Sequence, residues 1–158
     1  KNRFDVVVCE SRPLCEGRKL AGRLRGRARS IALITEAMMV SVMEECDCAM
    51  MGCDAILPDG SVINKMGSHL LALAARSSKR PVIVLGDTYK MGPGFIDPGE
   101  SHRRSEVWKG APSDIEVRNL YFERVPASLI DFIVTERGVH RTGGIRALCE
   151  KTLGEQTY

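Results

Sequence analysis

Short β-branched runs alternating with helical stretches, each followed by a polar cluster, predict an α/β fold: a Rossmann-like, mostly parallel, doubly wound sheet with helices on both faces. Asp5-Val6-Val7-Val8-Cys9 is almost wholly apolar, as expected of a strand covered on both sides in a parallel sheet. From Glu16 to Arg29, Leu20, Ala21 and Leu24 recur at helical spacing among Arg18, Lys19, Arg23, Arg25, Arg27 and Arg29. That pattern predicts a helix with one apolar stripe and a cationic remainder. Ser30-Ile31-Ala32-Leu33-Ile34 reads as the second strand. Thr35 then opens a helix whose Glu36 sits near the positive end of the dipole and whose Met39, Val42 and Met43 face the sheet. Ala49-Met50-Met51 is the third strand, Asn64-Lys65 lie at the start of a helix running through Leu70 to Ala75, and Pro81-Val82-Ile83-Val84-Leu85 is the fourth strand. Between Met91 and Glu116, the residues Gly92, Pro93, Gly94, Pro98, Gly99, Gly110 and Pro112 predict a long loop. Leu129 to Val134 is a last apolar run, helix or strand.

With 158 residues, 44% hydrophobic and 27% charged, the chain holds enough for one core, and a single domain over residues 1–158 is expected. It lacks an initiating Met and enters a strand almost at once, so it reads as the tail of a longer protein. No stretch reaches the roughly 18 apolar residues of a membrane span, and no apolar signal region precedes the first strand, which predicts a cytoplasmic protein with no membrane partner. The six cysteines, Cys9, Cys15, Cys46, Cys48, Cys53 and Cys149, match no zinc spacing. Reduced thiols, mostly packed in the core, are expected rather than disulfides or a metal site. The cations between Arg18 and Arg29 would attract phosphates, but the net charge is only +3 and aromatic residues only 5%. A solvated helix face is therefore preferred to nucleic-acid binding.

In open α/β sheets, ligands gather beyond the carboxyl ends of the strands. The polar clusters Glu10-Ser11-Arg12, Thr35-Glu36, Gly52-Cys53-Asp54, Asn64-Lys65 and Asp87-Thr88-Tyr89-Lys90 all fall there. Arg12 before Pro13 suits a phosphate, because a guanidinium donates paired hydrogen bonds. Gly17 would let the helix backbone approach an anion. Asp54, directly after the third strand, is placed for acid/base work if partly desolvated; a turn residue or helix cap is the competing reading. Lys65 and Asn64 supply a cation and an amide. The first strand is followed by no Gly-x-Gly-x-x-Gly and the chain holds no Walker sequence, so no nucleotide cofactor is expected.

The segments Ser11-Arg12-Pro13 to Gly17-Arg18, Gly52-Cys53-Asp54-Ala55-Ile56, Asn64-Lys65-Met66-Gly67-Ser68, Thr88-Tyr89-Lys90 and Val134-Thr135-Glu136-Arg137-Gly138 stand in the order and at about the spacing of one family. The chain resembles the carboxyl-terminal domain shared by the alpha, beta and delta subunits of translation initiation factor 2B and by the methylthioribose-1-phosphate and ribose-1,5-bisphosphate isomerases. The resemblance implies an amino-terminal helical domain upstream. For an isomerase it further implies that Arg12, Asn64 and Lys65 contact the sugar phosphate and that Asp54 is a catalytic acid/base.

The isomerases of that family also use a cysteine in a glycine-containing segment upstream of this domain, and none of the six cysteines here has such a context. The first expectation is therefore a non-catalytic regulatory subunit. Glu10 to Lys19 looks like the delta version of the first loop, and Ile115 to Tyr121 with Val125 to Ile130 resembles the closing segment of beta and delta; the intact Asp54 and Asn64-Lys65 look more like alpha or an isomerase. Such a subunit would assemble with the other subunits of initiation factor 2B, promote guanine-nucleotide exchange on initiation factor 2 and sense its phosphorylated alpha subunit. Assembly needs a large apolar contact patch, with Val125, Leu129, Phe132 and Ile133 as candidates and core burial as the competing reading. The alternative is an aldose-ketose isomerase of sugar phosphates.

Overall fold

The structure, a computed structural model, describes residues 4–92 and 99–155. Pro93, Gly94 and Pro98 of the expected loop lie outside the described residues. In chain order the elements are β1 (Asp5–Cys9), α1 (Glu16–Leu24), β2 (Ser30–Ile34), α2 (Met39–Met43), β3 (Ala49–Gly52), β4 (Ala55–Ile56), β5 (Val62–Lys65), α3 (Ser68–Ser77), β6 (Val82–Leu85), α4 (Arg104–Val107), β7 (Phe122–Val125), β8 (Phe132–Thr135), β9 (Gly138–His140) and α5 (Ile145–Glu155).

The local patterns account for most of these elements, and glycines account for their ends. Helix α1 stops at Leu24 instead of continuing to Arg29, because Gly26 takes φ 75° and turns the chain out of the helix. The six cations therefore do not share one helical face. Arg18 pairs with Glu10 and Arg29 with Asp5. After β2 the chain makes a 3-10 turn, Glu36–Met38, before α2. Thr35 makes no side-chain cap there, and Glu36 Oε1 instead accepts the Ser11 N–H at 2.6 Å, tying the loop after β1 to the loop after β2.

The strands form mixed sheets. β1 and β2 pair in parallel; β3, β6 and β8 form a parallel ladder with β9 antiparallel at its edge; β4, β5 and β7 form an antiparallel sheet. The α/β class holds, while the expected mostly parallel, doubly wound sheet gives way to this arrangement. Two turns explain the difference. Asp59-Gly60, with Gly60 at φ 83°, closes a β4–β5 hairpin, and Gly138 at φ 118° folds β9 back on β8. Asn64 and Lys65, expected at a helix start, are the last residues of β5. Pairing of Asn64 with Glu123 and Lys65 with Phe122 keeps the backbone extended, and the helix begins only after Gly67 at φ 102°.

The core sits between the strands and one layer of helices. Ile56, Val62, Val82, Val84, Val125 and Ile133 are wholly enclosed, α2 packs on α3, and α3 packs on β3, β6 and β7. Val125 and Ile133 were candidates for a contact patch; as core side chains they have no surface to offer. Leu129 packs against the same cluster. Half-buried Phe132 carries the Arg141 guanidinium 5.1 Å from its ring centre. Register places it on the face of the four-stranded sheet that also bears exposed Met50, Leu85 and Val139. On this sheet the expectation of helices on both faces fails at those residues.

The β4–β5 turn has a pH signature. The Ser61 hydroxyl donates to Asp59 Oδ1 at 2.6 Å and the Ser61 N–H at 3.0 Å, and Arg124 pairs with the same carboxylate. These contacts, the hydroxyl foremost, hold the Asp59 carboxyl below its usual range. A carboxyl lowered by folding stabilises the fold above its unfolded value, about 3.9, and that contribution is lost as pH falls through the folded value. Asp59→Asn is expected to lower stability at pH 7 by up to about 1 kcal/mol, given the site's exposure, with the gap closing in acid. Urea unfolding of both proteins at neutral and acid pH measures it; a gap that stays constant with pH counts against the carboxylate as its cause.

Candidate active site

Lys65 ends β5 on the strand that pairs with β7, so its side chain leaves beside Tyr121 and Phe122. The ammonium lies 2.7 Å from Glu16 Oε1 and 4.6 Å from the centre of the Tyr121 ring. Asp54 follows β3. Its N–H donates to Ile63 O at 2.8 Å, and Lys90 Nζ donates to Cys53 O at 2.6 Å, which tie this turn to β5 and to the 3-10 turn after β6. The result is an open cleft of about 330 Å³ lined by Ser11, Glu16, Asp54, Lys65, Tyr121 and Phe122. A second cleft of about 320 Å³ is lined by Arg12, Pro13, Met66 and the Arg118 to Leu120 segment. Chain neighbours Ser11 and Arg12, and Lys65 and Met66, divide between the two, so the clefts adjoin.

Of the residues singled out from the sequence, Asp54 and Lys65 share one cleft and Arg12 lines the next. Asp54 is exposed, so the desolvation expected for it is absent. Asn64 does not line either cleft. Its Nδ2 donates to Ser68 Oγ at 2.8 Å, and that hydroxyl donates to Lys65 O at 2.7 Å, so Asn64 braces the turn behind the lysine. Gly17 is buried, and its N–H donates to Glu10 O at 3.1 Å. A Cβ there would lie 1.8 Å from Cys9 O. The glycine thus serves close approach of α1 to the end of β1, not approach to an anion.

The wall of the cleft is braced from behind. Tyr121 donates its hydroxyl to Glu106 Oε2 at 2.6 Å and stacks on His102 with ring centres 3.5 Å apart. That hydrogen bond pushes the phenol up to about 12 and holds the Glu106 carboxyl below its usual range, so Tyr121 stays a neutral hydroxyl at physiological pH. Glu106 lies on α4, inside the expected long loop, and Asn119 Nδ2 also donates to it at 2.8 Å. After β6, Thr88 donates its N–H to Glu136 at 3.1 Å, and its hydroxyl bonds the same carboxylate, holding it low.

Burial pushes the Cys53 and Cys9 thiols up to about 11, so neither is a thiolate nucleophile at neutral pH. Among the described residues no cysteine lines the cleft, and no three His, Cys, Asp or Glu side chains gather closely enough to hold a metal. No helix among them is long and apolar enough to cross a membrane.

Ser11 belongs to the Glu10-Ser11-Arg12 cluster expected at the site, whereas Glu16, Tyr121 and Phe122 were not foreseen as site residues. Ser11 and Glu16 stood inside the Glu10 to Arg18 segment, beside the more conspicuous Arg12. Nothing local placed Tyr121 and Phe122 at the cleft, because only the β5–β7 pairing does so.

The chain is similar to the ribose 1,5-bisphosphate isomerase of Archaeoglobus fulgidus, 34% identical over 145 residues, covering 86% of this chain and 45% of that protein. It is likewise similar to the methylthioribose-1-phosphate isomerase of Syntrophotalea carbinolica, 34% identical over 158 residues, covering 92% of this chain and 46% of that protein. The chain thus spans a little under half the length of these relatives. The crystal structure of the translation initiation factor eIF-2B subunit delta from A. fulgidus superposes with TM-score 0.82 at 25% identity, covering 94% of this chain and 48% of that one. The isomerase relatives overturn the expectation of a regulatory nucleotide-exchange subunit, which had rested on the absent upstream cysteine and on loop likeness. Oligomeric assembly remains consistent with these relationships, without naming partners. The family model for the initiation factor 2 subunit family matches residues 1–142, and the chain belongs to that family.

Proposed function

We propose that this chain is the carboxyl-terminal domain of an aldose-ketose isomerase acting on a pentose phosphate such as ribose 1,5-bisphosphate or methylthioribose 1-phosphate. The observation that carries the proposal is the meeting of Asp54 and Lys65 in one cleft, in a chain similar to isomerases over most of its length. In a ribose 1-phosphate the step breaks the bond from C1 to the ring oxygen, which takes up a proton and leaves as the C4 hydroxyl, while a hydrogen passes from C2 to C1 and the C2 hydroxyl gives up its proton to become the ketone, with no net oxidation. It needs a group that takes the proton from one atom and returns it at another, and a carboxylate at the rim of an open cleft can do so. In this reading Asp54 is that group.

Lys65 takes a phosphate, and Arg12 in the adjoining cleft, whose fork suits phosphate oxygens, takes the second phosphate of a bisphosphate. Asn64 acts through the turn it braces and is a positioning residue. Since no thiol of the described residues reaches the cleft, the second catalytic group comes from outside these residues, in the amino-terminal part of the protein. Incubating the protein with ribose 1,5-bisphosphate, and separately with methylthioribose 1-phosphate, and following the ketose carbonyl by carbon-13 NMR tests the proposal. Conversion of one of them is expected. Conversion of neither rejects the isomerase reading.

A further inference from the structure

The ammonium that a phosphate would take is already matched by a carboxylate of the same chain. Glu16 Oε1 lies 2.7 Å from Lys65 Nζ. Its second oxygen, Oε2, is buried without a hydrogen-bond partner. The residues lining that cleft carry two carboxylates, Glu16 and Asp54, against the single ammonium of Lys65. That balance is unfavourable for a dianion entering the cleft, and an unpartnered carboxylate oxygen is itself costly.

Glu16 also stands in the first turn of α1, where any acid is favoured by the helix dipole. A purely structural role of that kind would not need the lysine 49 positions away. Lys65 is the less exposed member of the pair, its side chain 19% accessible against 45% for Glu16. Glu16 is thus the partner with more freedom to swing away.

We propose that Glu16 is an internal counter-ion that competes with the incoming phosphate for Lys65, so that a ligand must displace it to bind. The inference rests on reading Lys65 as the phosphate ligand, and it identifies the residue that sets the affinity of that site.

Glu16→Gln keeps the shape and removes the competing charge. Calorimetric titration of the wild type and of Glu16→Gln with inorganic phosphate and with ribose 1,5-bisphosphate is expected to show about tenfold tighter binding to the variant at low salt. The gain should shrink as ionic strength screens the charges. It should also vanish when Lys65→Ala is present in both backgrounds, as a double-mutant cycle requires of two coupled residues. Unchanged or weaker binding to Glu16→Gln overturns the inference, as does a gain that survives Lys65→Ala. The phosphate readout is independent of turnover. A gain without any isomerisation keeps the inference and removes the isomerase reading, whereas isomerisation without a gain does the reverse.

Discussion

Asp54→Asn is expected to lower aldose-ketose turnover by about 10²–10⁴-fold, the range of a general acid/base group. Asparagine matches aspartate in size but cannot accept and return a proton at its side chain. The substitution leaves the turn intact, since that turn is held by the Asp54 N–H to Ile63 O and by Lys90 to Cys53 O, neither of which involves the carboxyl group. Loss should therefore fall on kcat with little change in KM, the pattern of an interaction used in the chemical step. Steady-state kinetics of the two proteins on ribose 1,5-bisphosphate, with denaturation midpoints as a check on folding, provides the test. A variant that retains more than a tenth of the activity removes Asp54 from the mechanism.

The largest effect on folding should come from Gly17→Ala. In most helices that exchange stabilises by about 0.5–1 kcal/mol, because alanine loses less backbone freedom on folding. Here the new methyl would sit 1.8 Å from Cys9 O and 2.9 Å from Cys9 C, and the obstacle is backbone, which no rotamer change can relieve. Separating α1 from the end of β1 would also strain the Gly17 N–H bond to Glu10 O and displace Glu16 from Lys65. Overpacking against main chain outweighs the helix preference, and a net loss of about 3 kcal/mol is expected. Gly22, in the same helix with nothing within 4 Å of where a Cβ would stand, is the control, and Gly22→Ala should gain the ordinary amount of about 0.5–1 kcal/mol. Urea unfolding of the three proteins decides the matter. If Gly17→Ala unfolds at the wild-type midpoint, the packing of α1 on β1 is looser than described.

Much of the fold was legible without coordinates. β1, β2, β3 and β6 fall on the β-branched or apolar runs that predicted them, although the two-sided cover that such runs suggest is not found: Val7, Leu33, Met50 and Leu85 are exposed. The glycines told less. Gly26 lay inside the helix expected from Glu16 to Arg29 and Gly138 closed the Val134 to Gly138 segment, yet their left-handed backbone ends α1 and reverses the chain into β9. The antiparallel β4–β5 hairpin hid because Ala55-Ile56 is only two residues long, too few for any periodicity to register. Asn64-Lys65 pointed to a helix start because the helical pattern of α3 follows so closely, and only pairing with β7 shows the backbone still extended there.

The sequence by itself determined where the residues of the proposed chemistry lie along the chain, and local apolar patterning was enough to put Arg12 after β1 and Asp54 after β3. Only the tertiary structure decided which of them meet. The Lys65↔Phe122 pairing and the Lys65–Glu16 contact join segments dozens of residues apart. The register of one strand on another depends on backbone hydrogen bonds and on core side chains supplied by both partners. No single stretch of sequence contains both halves of that information, so the cleft, its resident carboxylate and its tyrosine wall appear only once the chain is folded.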